Sequence, residues 1–224
     1  MRDIYIALSG ATAAWDQLSG IANNLANAKT QGFRESRTSF VVAGAGEAGG
    51  MYAAAGTTRY SNADGELMVD DVATHVALRG DGFFALADGT YTRDGSFQLD
   101  AEGTLVTRDG VPVMGDGGEL QVPEGAEISI GPDGSVRAGK EEVGRLQVVS
   151  LGNPNPLGGS RWGGEPGEAP EGTTIVQGAV EGSNADTMRG MIEMIEASRF
   201  FEAQQKAMQT SDDTRARLNR IGGN

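Results

Sequence analysis

A glycine-rich run, Gly44-Ala45-Gly46-Glu47-Ala48-Gly49, has the spacing of a dinucleotide-binding fingerprint, in which bare backbone approaches a pyrophosphate at a helix N-terminus. Phe40-Val41-Val42 before it suits a strand, but Met51-Tyr52-Ala53-Ala54-Ala55 is cut off by Gly56 before a helix can open. The segments that follow read as hairpins rather than alternating strands and helices, so the run is read as a flexible Gly/Ala segment. A series of Asp-Gly pairs begins at Asp81, Asp88, Asp94, Asp109 and Asp116, in steps of 7, 6, 15 and 7. Calcium-binding repeats need a fixed nine-residue period with paired glycines, and the pairs are read as hairpin turns in which both central positions take positive φ. His75 is the only histidine and there is no cysteine, which excludes His-based triads, multi-His metal sites, thiol catalysis and disulfides. The 31 acidic residues contain enough carboxylates for a glycosidase pair, but nothing singles out two of them. A solvated acidic surface is the expected role. No catalytic, cofactor-binding or metal-ligating set is identified.

The elements that would position any site are more informative. Ile4, Leu8, Ala11, Trp15, Leu18, Ala22 and Leu25 recur at spacings of 4, 3, 4, 3, 4 and 3, the seam of a helix that packs along another helix. The helix is expected from Asp3 to Ala28, ended by Lys29-Thr30-Gln31-Gly32 with Gly32 as the left-handed cap. A second helical pattern runs from about Asp186 to Ile221 and opens at Ser183-Asn184-Ala185-Asp186, a capping-box variant. Its apolar side carries Met188, Met191, Ile192, Met194, Ile195, Phe200, Phe201 and Met208, and Glu202/Lys206 and Asp213/Arg217 are i,i+4 pairs in the favourable order. Beyond Met208 the face is polar until Leu218 and Ile221, a stretch that needs neighbours to be stable. Asn23, Asn24 and Asn27 are costly within a helix. Their amides either fix register between packed elements or mark fraying near the helix end.

Between the helices lies a Gly-rich, acidic body. Short runs such as Phe83-Phe84-Ala85-Leu86, Phe97-Gln98-Leu99, Thr104-Leu105-Val106-Thr107, Ile128-Ser129-Ile130 and Arg145-Leu146-Gln147-Val148-Val149 predict an antiparallel meander. Residues 152–172 read as loop, and Thr173–Gln177 as a strand returning toward the start. The fold class is therefore α+β: the terminal helices pair as a coiled-coil-like stem on a hairpin-rich, all-β body. The expected divisions are 1–36 with 183–224 for helix-mediated assembly, 37–72 as an extended Gly/Ala-rich arm (Ala43–Gly56 at its centre), and 73–182 as the body. Net charge is −13 over 224 residues; 1–40 carry +1, 186–224 carry 0 and 41–185 carry −14. Neutral ends can pack against copies of themselves, while the acidic body disfavours nucleic acid. No apolar stretch approaches the roughly 18 residues of a membrane span, and Met1–Gly10 is too short in its apolar part for a secretory signal. Export by a route without a cleaved signal and without membrane insertion is expected.

Ser9-Gly10 with Ile21-Ala22-Asn23-Asn24-Leu25-Ala26-Asn27-Ala28-Lys29-Thr30-Gln31-Gly32-Phe33 closely resembles the N-terminal signature of the bacterial flagellar rod and hook proteins. Glu181-Gly182-Ser183-Asn184 and Met191–Glu202, extended by Lys206, Met208 and Gln209-Thr210, resemble that family's C-terminal signature. Leu78-Arg79-Gly80-Asp81-Gly82-Phe83-Phe84 and Tyr91-Thr92-Arg93-Asp94-Gly95 are similar to its middle block. Arg199-Phe200-Phe201-Glu202 and the short length look most like proximal rod members, whereas distal rod members usually show Arg-Ala-Tyr-Glu and are longer. Gly190 and Trp15 depart from the usual pattern.

The resemblance implies a structural subunit of the motility organelle. Such proteins leave the cell uncleaved through the flagellar type III export apparatus. They polymerise with copies of themselves and other axial proteins into the periplasmic rod, their terminal helices forming the inner tube and the β-rich body the outer layer. A distal rod or hook-type subunit is the alternative within the family. The assembly interface is expected to draw on Ile4, Leu8, Ala11, Trp15, Leu18, Ala22, Asn23, Asn24, Leu25 and Asn27 of the first helix. The second would contribute Met188, Met191, Met194, Ile195, Phe201 and Met208. Because one narrow seam buries too little to offset its ordering cost, the termini are expected to fold on assembly. Outside the family, a carbohydrate hydrolase would need two carboxylates at catalytic distance, and a dinucleotide-dependent oxidoreductase would need NAD at Gly44–Gly49.

Overall fold

The computed structural model describes residues 2–44 and 51–222, with side chains described for 8–39, 56–214, 216 and 217. The fingerprint-like run beyond Gly44, Gly223, and the side chains of Ile4, Leu218 and Ile221 therefore lie outside the described residues. The chain is α+β and divides into two compact units.

The first unit comprises Met1–Ala26, Glu35–Ser61 and Asp186–Asn224. It contains α1 (Arg2–Ala26), an antiparallel hairpin of β1 (Ser36–Gly44) and β2 (Met51–Tyr60), and α2 (Thr187–Gly222). Much of the segment expected to be an extended arm is thus paired strand. Ser36 faces Tyr60 and Thr38 faces Thr58 across the hairpin. The Thr38 and Thr58 hydroxyls lie 3.1 Å apart, the kind of cross-strand pair that stabilises a ladder of β-branched residues. α1 packs on both α2 and this hairpin.

α1 ends at Ala26, and Gly32 does not cap it. The chain instead turns through Asn27–Phe33, with Thr30 N–H donating to Asn27 O at 3.0 Å and Phe33 N–H to Thr30 O at 3.3 Å. Gly32 takes φ +66°, where a Cβ would lie 2.4 Å from the Asp94 nitrogen. Close approach of two backbones, rather than helix termination, sets the requirement for glycine here. At the start of α2, Asp186 is the cap: its Oδ1 accepts from Met188 N–H at 2.9 Å and Arg189 N–H at 3.1 Å. Ser183 closes its own small turn onto Ala185 N–H. A carboxylate serves this end well because it also meets the positive pole of the helix.

The second unit comprises Asn27–Arg34 and Asn62–Ala185. Its strands are β3 (Leu67–Val69), β4 (Val76–Arg79), β5 (Phe83–Ala85), β6 (Tyr91–Thr92), β7 (Gln98–Leu99), β8 (Leu105–Val106), β9 (Met114–Gly115) and β10 (Gly118–Glu119). They continue as β11 (Ile128–Ile130), β12 (Ser135–Ala138), β13 (Glu141–Arg145), β14 (Val148–Gly158), β15 (Arg161–Gly167), β16 (Thr174–Gln177) and β17 (Ala179–Glu181). Asp88-Gly89, Asp109-Gly110 and Asp116-Gly117 turn between paired segments, as expected, whereas Asp81-Gly82 and Asp94-Gly95 join strands that do not pair with each other (β4 to β5 and β6 to β7), and a simple meander does not describe the whole. β14, β15, β6 and β5 close a small barrel, β16 pairs with β4 and β17 with β3. The stretch 152–172, expected to be loop, is largely the β14–β15 hairpin. Its register shifts between Gly152 and Asn155 and between Pro156 and Gly158, where irregular pairing tolerates prolines that lack an N–H. Trp162 is buried and its ring lies 5.6 Å from that of Phe83, anchoring the hairpin.

Four turns of this unit share one bonding pattern: Leu86–Thr90, Asp100–Thr104, Thr107–Val111 and Gly131–Ser135. In each, the first residue's carbonyl accepts from the glycine at the fourth position, at 2.9–3.2 Å, and its N–H donates to the fifth residue's carbonyl, at 2.8–3.0 Å. Gly89, Gly103, Gly110 and Gly134 have φ between 78° and 85°. The residues before them do not: among the described residues, only Asp71 and Asn153 have positive φ without being glycine. These are therefore three-residue loops with a glycine bulge rather than the expected two-residue turns. The aspartates serve through their side chains, as where Asp88 Oδ1 accepts from Thr90 N–H at 3.0 Å and Asp133 Oδ1 from Ser135 N–H at 3.2 Å.

The core of this unit gathers Val76, Leu78, Phe84, Phe97, Leu105, Val113 and Val136, each 1% exposed or less. Phe84 and Phe97 meet edge to face with centroids 5.2 Å apart, and full burial of such side chains stabilises by about 1.5–3 kcal/mol each.

Candidate assembly interface

α1 and α2 run antiparallel. Trp15 and Phe201 have ring centroids 6.1 Å apart. A Cβ on Gly10 would lie 3.3 Å from the Gln204 side chain, and one on Gly190 4.0 Å from Leu25 Cδ1. Ala11, Ala14 and Ile21 are buried and Leu18 and Leu25 half-buried, a 3-4-3-4 series. On α2, Gly190 and Ala197 are buried, and Met194, Phe201, Gln204 and Met208 half-buried, again at heptad spacing. Small residues on both helices permit the close approach.

Among the residues expected at the interface, Ala11 and Asn24 are buried, while Leu18, Leu25, Asn27, Met194, Phe201 and Met208 are half-buried. Leu8, Trp15, Ala22, Asn23, Met188, Met191 and Ile195 are exposed. The face that α1 buries is therefore rotated from the predicted seam. It takes Ala14 and Ile21 where the pattern pointed to Trp15 and Ala22, as α1 packs on both α2 and the β1–β2 hairpin. Among the described residues no ion pair joins Glu202 to Lys206 or Asp213 to Arg217; along α2, Arg189 meets Glu193 at 3.8 Å.

Two of the three asparagines take different roles. Asn24 donates through Nδ2 to Ser36 O at 2.7 Å and accepts at Oδ1 from Ser36 N–H at 3.0 Å. It thereby pins the first residue of β1 to α1, a register role between helix and strand. Asn27 Oδ1 accepts from the Thr30 hydroxyl at 3.1 Å in the turn after the helix. Beside Asn24's partner, buried Glu35 accepts from Arg189 at 2.8 Å and Arg37 at 3.2 Å, tying the hairpin to α2.

The second unit holds a buried charge cluster that pattern reading missed. Arg93 donates from Nε to Glu181 Oε2 at 2.8 Å, from Nη1 to Gly80 O at 2.8 Å and Gly82 O at 2.7 Å, and from Nη2 to Asp64 Oδ1 at 3.3 Å. Glu181 Oε1 takes Gly65 N–H at 3.0 Å and Arg34 Nη2 at 3.2 Å. Arg34 also donates to the Ala63 carbonyl. Burial, and then the Arg93 charge, pull the Arg34 pKa below its ordinary value. Each charge has its partners, so the cluster ties together distant segments instead of offering a reactive group. The signal available in the sequence was opposite charges set within separate blocks of the middle and terminal signatures.

His75, expected at a strand start, precedes β4, and its Nδ1 lies 2.6 Å from Asp70 Oδ2. Among the described residues no group of three or more His, Cys, Asp or Glu could hold a metal ion, and no helix is long and apolar enough to cross a membrane.

Three segments match family profiles. Residues 4–34 match the flagella basal body rod protein, 77–138 the flagellar hook protein FlgE/F/G D1 domain, and 176–221 the flagellar basal body rod FlgEFG protein C-terminal region. The chain is 33% identical to flagellar basal-body rod protein FlgF of Escherichia coli, with 97% of each chain covered. It is 34% identical to FlgF of Salmonella typhimurium, again over 97% of each. Flagellar basal-body rod protein FlgG of Bacillus subtilis is 32% identical, over 95% of this chain and 96% of its own length.

Proposed function

Because the chain belongs to the flagellar basal-body rod protein family and is a structural subunit of that rod, we propose that α1 and α2, paired as a coiled-coil-like stem, are the part through which it polymerises. Copies of the chain and other axial proteins are its partners. The observation that carries this reading is where apolar surface stays uncovered. Among the described residues, seven of the twelve exposed large hydrophobic side chains lie on the two helices: Leu8, Trp15, Met188, Met191, Ile192, Ile195 and Phe200. Such surface on a monomer marks a site of association.

The chain reaches its place uncleaved through the flagellar export apparatus, stands in the periplasmic part of the basal body and performs no catalysis. Its work is mechanical, carried by a continuous helix-packed shaft. Arg199-Phe200-Phe201-Glu202 supports a proximal position; the nearly equal identity to FlgF and FlgG relatives supports a distal rod subunit as the second reading. Purified basal bodies from cells carrying a tagged copy test both. The chain is expected in the rod fraction at its unprocessed mass, with immunogold label at the membrane-proximal end. Label at the far end selects the distal reading, and absence from basal bodies refutes both.

A further inference from the structure

We infer that the charge cluster of the second unit, together with Asn184, is a mechanical latch. It resists peeling of the β-rich body when that body is pulled by the segments that connect it to the rest of the chain. The chain passes between the two units at 26/27, 34/35, 61/62 and 185/186. The last two crossings bound the whole of 62–185. Just inside them β3 and β17 pair antiparallel, and Leu67 opposite Glu181 is the pair nearest both crossings. The bonds of an antiparallel ladder run perpendicular to its strands. Pulling residue 62 away from residue 185 therefore does not shear this ladder but opens it from one end, one bond at a time. A ladder of three residue pairs opposes such peeling weakly by itself.

Other bonds stand ahead of it. The Ala63 carbonyl accepts from Asn184 Nδ2 at 2.8 Å and from Arg34 Nη1. Gly182 N–H donates to Glu66 O at 2.8 Å and Asn184 N–H to Phe33 O at 3.3 Å. Gly65 and Gly182 meet backbone to backbone, since a Cβ on Gly65 would fall 2.0 Å from Gly182 O. Arg34 bridges the two sides, reaching Asp64 Oδ1 at 3.4 Å and Glu181 Oε1 at 3.2 Å. Its side chain is 6% exposed and that of Glu181 1%, so charge-assisted bonds act here with little competition from water. Arg93 anchors the set inward: it holds Glu181 and Asp64 while donating to the Gly80 and Gly82 carbonyls. Segments 32–34, 63–66 and 181–184 are thus bonded to one another at one place. A peeling force meets these bonds before it can part Leu67 from Glu181, and because Arg34 spans both sides, several must break together. On the rod reading above, the helices are held by neighbours and force on the body arrives through these crossings. Whatever part of it spreads residues 62 and 185 is met by the latch.

Single-molecule pulling of the full chain along two directions tests this. The chain has no cysteine, so handles can be attached at Asn62→Cys with Ala185→Cys, which peels from the crossings. Arg108→Cys with Lys140→Cys, both exposed, pulls instead on two turns outside the cluster. Along the first direction Arg34→Met is expected to shorten the lifetime of the folded body at constant force about ten- to hundredfold, the effect of losing bonds to charged groups. Asn184→Ala, which keeps every charge and removes one neutral bond, should shorten it about three- to tenfold. Along the second direction the latch is still closed at the barrier, and an interaction intact there does not change the unfolding rate. Both variants should then match the parent. Equal shortening in the two directions would make the cluster a general source of stability, and no shortening in the first would place the barrier elsewhere; either overturns the inference. Both results leave the rod reading intact, which absence of the chain from basal bodies would overturn.

Discussion

Arg93 and Glu181 meet at 2.8 Å with each side chain 1% exposed, 88 positions apart in the chain. Glu181 ends β17, the last strand before the C-terminal helix, and Arg93 follows β6 in the barrel, so the pair closes the second unit across its sequence. Removing one partner leaves the other buried charge with only its second counterion, Arg34 for Glu181 or Asp64 for Arg93, a loss of up to about 3–5 kcal/mol. Arg93→Met and Glu181→Leu are each expected to lose that much in urea unfolding followed by circular dichroism. The double variant should lose less than the sum of the two, since the charges that remain, Arg34 and Asp64, still pair with each other. Additive losses would show that the pair does not act as a unit.

Gly32 gives a sharper local test. At φ +66° an added Cβ meets the Asp94 nitrogen at 2.4 Å and the Arg93 carbonyl carbon at 2.5 Å, and both obstacles are backbone. Gly32→Ala therefore combines left-handed strain of about 1–3 kcal/mol with a clash that no side-chain rotation relieves. Its melting temperature should fall well below that of Gly89→Ala, which shares positive φ but has nothing within 4 Å of the new Cβ. Equal melting temperatures would mean that the turn can move away from Asp94.

The helices, the hairpin-rich body and the Asp-Gly turns were legible because each has a short-range signature: a heptad, an alternation, a turn dipeptide. The face α1 turns inward was not. Ala11, Leu18 and Leu25 fit both the predicted and the observed seam. The choice between Trp15/Ala22 and Ala14/Ile21 depends on what packs there, and α2 and β1–β2 come from far along the chain. The 152–172 hairpin was hidden by Pro154, Pro156 and its glycines, whose irregular pairing depends on the anchoring of Trp162. The Arg34, Asp64, Arg93 and Glu181 cluster was hidden for a related reason. A charged residue reads as surface until the fold brings its counterion to it.

Acid should loosen the second unit at a defined place. Partial burial raises the Asp88 carboxyl, but the Thr90 hydroxyl and amide and the Arg161 charge outweigh it and hold Asp88 below its ordinary 3.8. A depressed carboxylate contributes stability above the unfolded value, and that contribution disappears as pH falls through the folded value. Asp88→Asn should accordingly lower the urea midpoint at pH 6. The gap between variant and parent should narrow below about pH 4 and vanish once the parent's Asp88 is protonated. Because Asp88 is partly exposed, the gap should also shrink in high salt. A gap that persists unchanged at pH 2 would assign the loss to something other than the carboxylate's charge.

The two units should open at different free energies in the free chain. The buried apolar side chains described in the first unit are Ala11, Ala13, Ala14, Ile21 and Ala197, against a set in the second that includes Phe84, Phe97, Leu78, Leu105 and Trp162. Alanine removes little surface from water, so each ordered residue of the helices is supported by less burial. Units with few buried contacts exchange their amides through sub-global opening below the global stability. In hydrogen exchange on the isolated full-length chain, amides of 8–26 and 187–217 should therefore exchange much faster than those of β4 and β5. In purified basal bodies the same helical amides should become protected, since neighbours cover the faces left open by Leu8, Trp15, Met188 and Ile195. Equal protection of helices and barrel strands in the free chain would show that the helix pair is stable by itself and that assembly is not what orders it.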